Sequence, residues 1–294
     1  FISYYHLDPR SIYGKFSFSR LCAAAGVLDD FAEPAESILT KAFSKLVSVD
    51  SRRWIKFLTD ILPRFSCELA ASLSDFEKRM LQMFYITVFQ EAADWRSHTT
   101  QANMQLLADS PIMMHELNEL LSFNLERIDF IDQPVPLGFD CPLDLHCTYT
   151  RDQILIAMDY MTPKNVREGV KWLPDKQVDV FFITLNKADK DYSPTTMYND
   201  YSINESLFHW QSQSTTSDTA STGQRYINHR QRGSKVVLFV REFKQDSIGA
   251  APYTCLGTAA YVKHTGSKPR NITWHLDQPI PAKYLRKTNK LVVG

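Results

Sequence analysis

The run VDVFFITL, residues 178–185, decides the fold. It is short, apolar and rich in β-branched and aromatic residues, which predicts a buried β-strand. Four later runs share this character and are also predicted as strands: 207–212, 236–243, 253–264 and 271–276. The segments between these runs are polar and are predicted as loops, chiefly 187–204 and 212–223. The second half of the chain is therefore predicted to be built on a β-sheet.

The first 130 residues show a different pattern, with apolar residues at helical spacing between helix-start signals. Asp50 marks one start, Ser74 with Glu77 forms a capping-box pattern, and Ser110 with Pro111 marks another. Glycine occurs only twice in this part, at Gly14 and Gly26. This pattern favours a helical bundle over a sheet.

The boundary between the two parts is predicted within 131–142, where prolines and a glycine crowd together without helical periodicity. We expect a helical coupling domain over residues 1–135 and a mixed α/β domain over residues 136–294. Thr150 and Gln153 cap a short helix near the start of the second domain. The fold class is therefore predicted as α+β, with the helices first.

Charge is distributed unevenly along a chain whose formal net charge is zero. Residues 221–294 contain 13 basic and three acidic residues, a net charge of +10. Such a density on a folded surface attracts polyanions, of which nucleic acid is the commonest partner. The alternative is a solvated face of unrelated lysines and arginines.

Composition excludes several other classes of protein. No apolar run approaches the roughly 20 residues that span a bilayer, and no secretory signal is visible, so no membrane partner and a cytoplasmic location are expected. The five cysteines are odd in number and scattered, which argues against a disulfide framework or a structural zinc site. The chain begins at Phe1 and reads as part of a larger protein.

Motifs of common catalytic and cofactor sites are absent from the sequence. It contains no GxxxxGK or GxGxxG loop, no HExxH pair and no GxSxG elbow. We therefore expect no catalytic residue, no metal and no cofactor in this chain, which we do not predict to be an enzyme. A nuclease that uses His209 with Glu205 is the weakest alternative.

The segment 204–214, NESLFHWQSQS, combines hydrogen-bonding and aromatic side chains. If it is a strand, His209 and Gln211 lie on one face and Phe208, Trp210 and Ser212 on the other. Edge hydrogen bonds and aromatic walls are what a protein needs to read a base that has left its stack. The alternative is an ordinary strand with a solvated polar face and a core tryptophan.

Polar residues also follow the strand at 178–185. Thr184 and Asn186 close it, and a tyrosine-rich loop then runs from Tyr192 to Tyr201. Loops at strand ends are common places for sites, and an acidic side chain such as Asp200 is a natural acceptor for a cytosine amino group. A surface loop whose tyrosines only pack down is the alternative.

Two sets of candidate residues follow. The first set would shape a base pocket and comprises Thr184, Asn186, Tyr198, Asp200, Tyr201, Phe208, His209, Trp210, Gln211 and Ser212. The second would contact DNA phosphates and comprises Lys187, Arg225, Arg230, Arg232 and Lys235. Arg225 could equally be the partner of a buried carboxylate.

Residues 179–262 resemble a known family. The runs that carry the resemblance are FFITLNK at 181–187, YSPTTMYNDY at 192–201, NESLFHWQSQS at 204–214, GQRY at 223–226, VLFVRE at 237–242, APYTCLG at 251–257 and, just beyond, ITW at 272–274. They are similar to the domain of unknown function at the C-terminus of large helicase-nuclease proteins, including the SauUSI-type modification-dependent (type IV) restriction enzymes. The helical part fits the same family only by position and character.

The resemblance implies more than the residue patterns do. It implies an SRA-like fold with a twisted, partly closed sheet, which binds double-stranded DNA carrying 5-methylcytosine or 5-hydroxymethylcytosine and flips the modified base. It also implies N-terminal nuclease and helicase domains in the same polypeptide, where ATP and Mg would act. The alternative from a different class is a coupling module that makes protein contacts and touches DNA only nonspecifically.

Overall fold

The computed structural model describes residues 4–186, 200–212, 220–266 and 269–288. Helices fill the part before residue 130, as predicted, and a sheet fills most of the rest. The early helices are Arg10–Tyr13 (α1), Phe18–Ala24 (α2), Glu36–Leu46 (α3), Arg52–Ile61 (α4), Cys67–Ser72 (α5), Asp75–Phe89 (α6), His98–Ala108 (α7) and Pro111–Glu126 (α8). None of the helices in the described ranges is both long enough and apolar enough to cross a bilayer.

The helix starts agree with the sequence signals at three of the four predicted positions, and two of these have the predicted capping box. Ser74 and Glu77 form the capping box of α6, and Thr150 and Gln153 form that of Arg151–Ala157 (α9). In each box the N-cap hydroxyl accepts from a backbone N–H and the longer side chain accepts from the N-cap N–H, so both orphan donors are satisfied.

One predicted helix start is corrected, and another lacks the expected hydrogen bond of its cap. Ser51, not Asp50, caps α4 by accepting from the Trp54 N–H. Asp50 instead accepts from the backbone N–H of Thr148 at 2.6 Å, which joins the helices to the sheet. Ser110 precedes α8 as expected, but its hydroxyl makes no cap hydrogen bond and accepts from the Ala35 N–H at 2.9 Å. Long-range partners thus displace local capping at both positions.

One sheet contains most of the strands, and all five predicted runs are confirmed as strands. The strands are Thr148–Tyr149 (β1), Val170–Leu173 (β2), Val178–Thr184 (β3), Tyr201–Ser202 (β4), Leu207–Gln211 (β5), Lys235–Arg241 (β6), Gln245–Asp246 (β7), Gly249–Ala250 (β8), Tyr253–Thr265 (β9) and Asn271–Leu276 (β10). The main order is β2-β3-β6-β9-β10-β5-β4, with β1 beside β9 and β7-β8 as a separate hairpin. Only β3 and β6 pair in parallel in this sheet, which makes it a mixed sheet in an α+β fold.

The sheet curls round one of its faces. Phe181 on β3 and Trp210 on β5 are separated by three intervening strands, yet their ring centroids are 4.4 Å apart. Tyr226, from helix Ser221–Ile227 (α10), packs against both rings, 5.3 Å from the first and 5.6 Å from the second. Contacts across so many strands require strong curvature, and the aromatic side chains fill its inside.

The opposite face of β3 and β6 packs on the helices. A continuous cluster of buried apolar residues runs from Leu46 and Met83 in the helices through Ile154 to Val180 and Phe239 in the sheet. The two parts on either side of residues 131–142 therefore share one hydrophobic core. A last helix, Ala282–Thr288 (α11), closes the described chain.

Candidate DNA-binding cleft

A cleft of about 970 Å³ opens where the parallel strands β3 and β6 end. Thr184 and Arg241 are register partners at this point and both line the cleft. The carboxyl ends of parallel strands are common ligand sites because the chain leaves the sheet there and frees polar groups. The volume is within the range of about 300–1,000 Å³ that is usual for ligand sites.

Arg241 is held rigidly at this edge. Its Nε donates to Thr184 Oγ1 at 2.9 Å and its Nη1 donates to the carbonyl of Ala251 at 3.0 Å. The guanidinium carbon lies 4.4 Å from the centroid of the Tyr253 ring, a cation–π contact. All these partners are neutral, so they fix the position of the positive charge without cancelling it.

Arg151 is held in the same way from the first turn of α9. Its guanidinium donates to the Val166 carbonyl at 3.1 Å and to the Tyr253 hydroxyl at 3.4 Å, and it lies 4.8 Å from the Phe182 ring centroid. Among the described residues, neither Arg151 nor Arg241 forms an ion pair with a carboxylate. The cleft therefore presents two oriented cations whose charge is available to an anion.

Trp210 and Asp200 lie on another wall of the cleft. Trp210 is 6% exposed, and Phe181 and Tyr226 fix its ring from behind. Asp200 is 3% exposed, and its Oδ1 accepts from the Gln211 backbone N–H at 2.8 Å. Trp210 and Asp200 thus border the same cleft as the two arginines.

The remaining charged residues of the lining add further positive charge. Lys45, Arg167 and Lys244 are basic, and Asp152 and Glu168 are acidic. With the two arginines and Asp200, the described residues of the lining include five basic and three acidic side chains. The lining therefore favours a ligand that carries negative charge together with a polar, planar part.

Four residues of the predicted base pocket line this cleft: Thr184, Asp200, Trp210 and Gln211. Four others do not. Phe208 is fully buried in the core; Asn186 donates its backbone N–H to Glu242; Ser212 exchanges backbone and hydroxyl hydrogen bonds with Arg270; and Tyr201 lies against His209. Tyr198 lies outside the described residues.

His209 and Trp210 do not shape one pocket, which corrects the prediction that they do. Strand β5 alternates as predicted, with Trp210 buried inside the curl and His209 half-buried on the other face. The His209 ring stacks on Tyr201, with centroids 4.7 Å apart and planes 14° apart. The period of two along a strand, which the sequence already displayed, forces this separation.

None of the predicted phosphate contacts lines the cleft among the described residues. Arg225 forms a bidentate ion pair with the buried carboxylate of Asp179, at 2.7 and 2.8 Å, which is the alternative that the sequence left open. Arg230 pairs with Asp277 at 3.2 Å, and Lys235 donates to the Pro136 carbonyl at 2.6 Å.

The other two predicted phosphate contacts are Arg232 and Lys187. Arg232 is exposed, and Lys187 lies outside the described residues. Arg230 and Lys235 line a separate cavity of about 390 Å³ together with Asp277.

One cluster outside the cleft has the spacing of a metal site. Asp132, Asp144 and Cys147 bring potential ligand atoms within 4.8 Å of one another. Both carboxylates are already paired, with Arg52 and Arg53, and burial raises the pKa of the Cys147 thiol. A protonated thiol and two neutralised carboxylates disfavour a cation, so the cluster is better explained as an ion-pair network.

Arg151 and Arg241 were missed by the sequence reasoning, although each had a local signal. Arg241 closes the predicted strand at 236–243, and Arg151 follows the capping residue Thr150. The rule that sites lie at strand ends was applied to Thr184 alone. It extends to Arg241 only once the parallel pairing of β3 and β6 is known, which the sequence does not reveal.

Comparison with known proteins adds one family. No curated protein matches the chain. Residues 143–287, just under half of the chain, match the family described as Domain of unknown function (DUF3427), and this matched part contains the sheet and nearly all of the described lining of the cleft.

Proposed function

We propose that this chain binds double-stranded DNA carrying 5-methylcytosine or 5-hydroxymethylcytosine and takes an extrahelical base into the cleft between β3, β5 and β6. The observation that carries the proposal is the arrangement in one cleft of Trp210 and Asp200 with two unneutralised guanidinium groups, those of Arg151 and Arg241. The chain itself is the recognition part, and DNA cleavage and ATP hydrolysis belong to other domains of a larger type IV restriction enzyme.

The aromatic and acidic wall supports the base-binding half of the proposal. Extrusion of a base costs a few kcal/mol, which stacking and edge hydrogen bonds must offset. Trp210 supplies an immobilised ring, and Asp200 supplies the acceptor that a cytosine amino group needs. The Gln211 N–H helps to fix the Asp200 carboxylate, so little conformational entropy is lost when this carboxylate binds a base.

The two arginines support the backbone-binding half. A phosphodiester that flanks an extruded nucleotide must follow it toward the cleft, and guanidinium groups bind phosphate oxygens in bidentate fashion. Arg151 and Arg241 are prearranged for this by Phe182 and Tyr253. Binding is therefore expected to weaken steeply as salt is added.

The test is a titration of the 294-residue chain with three duplexes that differ only in one cytosine: unmodified, 5-methylated or 5-hydroxymethylated. We expect tighter binding to a modified duplex by about 1–3 kcal/mol, the discrimination that an apolar pocket achieves for one methyl group. A 2-aminopurine next to the modified cytosine reports extrusion, because its fluorescence rises when stacking is lost. Equal affinity for all three duplexes at every salt concentration would contradict the proposal.

Asp200→Asn is the variant that connects this preference to the cleft. The amide keeps an oxygen acceptor for the Gln211 N–H but presents a weaker acceptor, or a donor, to the base. We expect the preference for modified cytosine to fall while the melting temperature changes little. The matched control is Asp175→Asn, because Asp175 is an exposed aspartate outside the cleft.

A second candidate function is a coupling module that transmits signals between the flanking domains and the sheet and touches DNA only nonspecifically. The shared hydrophobic core favours it, since movement of the helices must be transmitted to β3 and β6. This alternative predicts that Asp200→Asn and replacement of Trp210 leave the preference for modified DNA unchanged.

A further inference from the structure

The cleft is not built from the DUF3427 domain alone. Ser44 and Lys45, at the C-terminal end of α3, line it opposite the sheet residues. The helical region therefore reaches the proposed binding site directly, well before the matched residues begin at 143.

The Lys45 ammonium is positioned by a neutral group. Its Nζ donates to Gln90 Oε1 at 2.8 Å, and Gln90 is itself fixed because its Nε2 donates to the Thr87 carbonyl at 2.8 Å. Gln90 ends α6 in the left-handed conformation, with φ of 62°, which sets the direction of its side chain. Lys45 forms no ion pair with a carboxylate within the described ranges.

Thr87 also connects α6 to α9, the helix that carries Arg151. Thr87 Oγ1 accepts from Gln153 Nε2 at 2.9 Å, and Gln153 lies on α9 two residues after Arg151. Lys45 and Arg151 are thus two cations of one cleft, on two helices that α6 ties together. Asp152, which also lines the cleft, and Lys164 are the charged groups that act on Lys45, while burial lowers the pKa of its ammonium.

We propose that the helical region binds the DNA backbone itself, with Lys45 as the ligand of a phosphate group that enters the cleft on the side opposite the sheet. This inference rests on the proposed function, because the anion is the backbone of the same bound duplex. A half-buried ammonium whose hydrogen-bond partner is the neutral Gln90 gains a charged ligand in direct contact when the phosphate arrives. Occupancy of the cleft would then be felt directly by α3 and, through Gln90, by α6.

The test compares Lys45→Gln with Lys41→Gln in the full chain. Lys41 is one helical turn earlier on α3, is exposed and does not line the cleft, so it is a matched control for the loss of one positive charge. Glutamine at 45 can still donate to Gln90, which limits any structural effect. Fluorescence anisotropy with a labelled duplex carrying one 5-methylcytosine is recorded at several salt concentrations, and the melting temperature of each variant is measured alongside.

We expect Lys45→Gln to weaken binding about five- to tenfold, to lower the slope of log affinity against log salt by about 1, and to leave the preference for modified cytosine unchanged. Lys41→Gln should stay within about twofold of the wild type. If Lys45→Gln and Lys41→Gln both change the affinity by a similar, small factor while Arg241→Gln still weakens binding, the inference about Lys45 is wrong and the proposed function stands. If Arg241→Gln and Lys45→Gln are both without effect, the cleft does not bind the backbone and the proposed function fails with the inference.

Discussion

The basic residues that line the cleft and those of α10 and the turn that follows it differ in what holds their charge. Arg151 and Arg241 are fixed by aromatic rings, a hydroxyl and carbonyl oxygens. Arg225 and Arg230 are instead paired with Asp179 and Asp277. A net charge of +10 over residues 221–294 is therefore a poor guide to where an anion binds, because part of it is neutralised inside the fold.

Arginines paired with carboxylates and arginines held by neutral groups differ in the electrostatic potential that they present to a phosphate. A carboxylate partner lowers the electrostatic potential that a phosphate experiences, whereas a cation–π contact or a carbonyl acceptor leaves the net charge at +1. The positions that matter for binding are those where a cation is held by neutral groups at the edge of a cavity. Among the described residues that line the cleft, Lys45, Arg151 and Arg241 meet that condition.

The largest expected effect comes from breaking the Arg225 ion pair. Asp179 is fully buried, and Arg225→Gln would leave its carboxylate without a charged partner. We expect a loss of about 3–5 kcal/mol in the free energy of unfolding, measured by urea denaturation. The Trp172 ring, 4.4 Å from the guanidinium, would lose a contact as well.

The outcome of this substitution also separates the two groups of arginines. If the variant unfolds at a markedly lower urea concentration and its folded molecules bind DNA with unchanged affinity, Arg225 stabilises the fold and does not bind DNA. A variant of normal stability that no longer binds DNA would make Arg225 a phosphate ligand and contradict the comparison.

The second effect concerns Asp50, a half-buried carboxylate whose hydrogen-bond donors are neutral groups. Asp50 accepts from the N–H and the hydroxyl of Thr148, and burial raises its pKa to about 6. Since the unfolded pKa is about 3.9, the folded protein binds a proton between pH 4 and 6 that the unfolded chain has released. This contribution to stability is complete below pH 4 and is lost as the pH rises through about 6.

Asp50→Asn removes that titration. We expect the stability of the variant, relative to the wild type, to increase by about 2–3 kcal/mol between pH 4 and pH 7, measured by urea denaturation at a series of pH values. A difference between the two proteins that is independent of pH would show that Asp50 does not titrate in this range. The comparison with the wild type cancels the contributions of other buried carboxylates.

The sheet could be predicted from the sequence to a large extent. The strands at 178–184 and 271–276 are long enough for apolar, β-branched and aromatic residues to signal them, and the observed bounds differ from the predicted ones by at most one residue. Val170–Leu173 was missed because four residues that include a lysine carry little periodicity. The pairing of strands was not predictable, since parallel pairing of β3 and β6 depends on chain connections rather than on either sequence.

Only those cleft residues that lie close together in a distinctive stretch of sequence could be predicted. Trp210 and Asp200 lie near each other in sequence within unusual polar and aromatic runs, and both line the cleft. Arg151, Arg241 and Lys45 come from three separate elements, and the signals within each element do not show that the three meet in one cleft. Conversely, the basic residues of 221–294 were conspicuous by number, but the partner of Arg225, Asp179, lies far away in the sequence.

The most direct test of the account is a comparison of Arg241→Gln with Arg232→Gln in binding a duplex that carries one 5-methylcytosine. Both variants lose one positive charge; Arg241 lines the cleft, and Arg232 is exposed in the basic segment outside it. We predict that Arg241→Gln weakens binding about tenfold or more, equivalent to about 1.4 kcal/mol, and that Arg232→Gln changes it by less than about twofold. A larger loss for Arg232→Gln than for Arg241→Gln, with both proteins folded, would contradict the claim that the cleft is where this protein binds DNA.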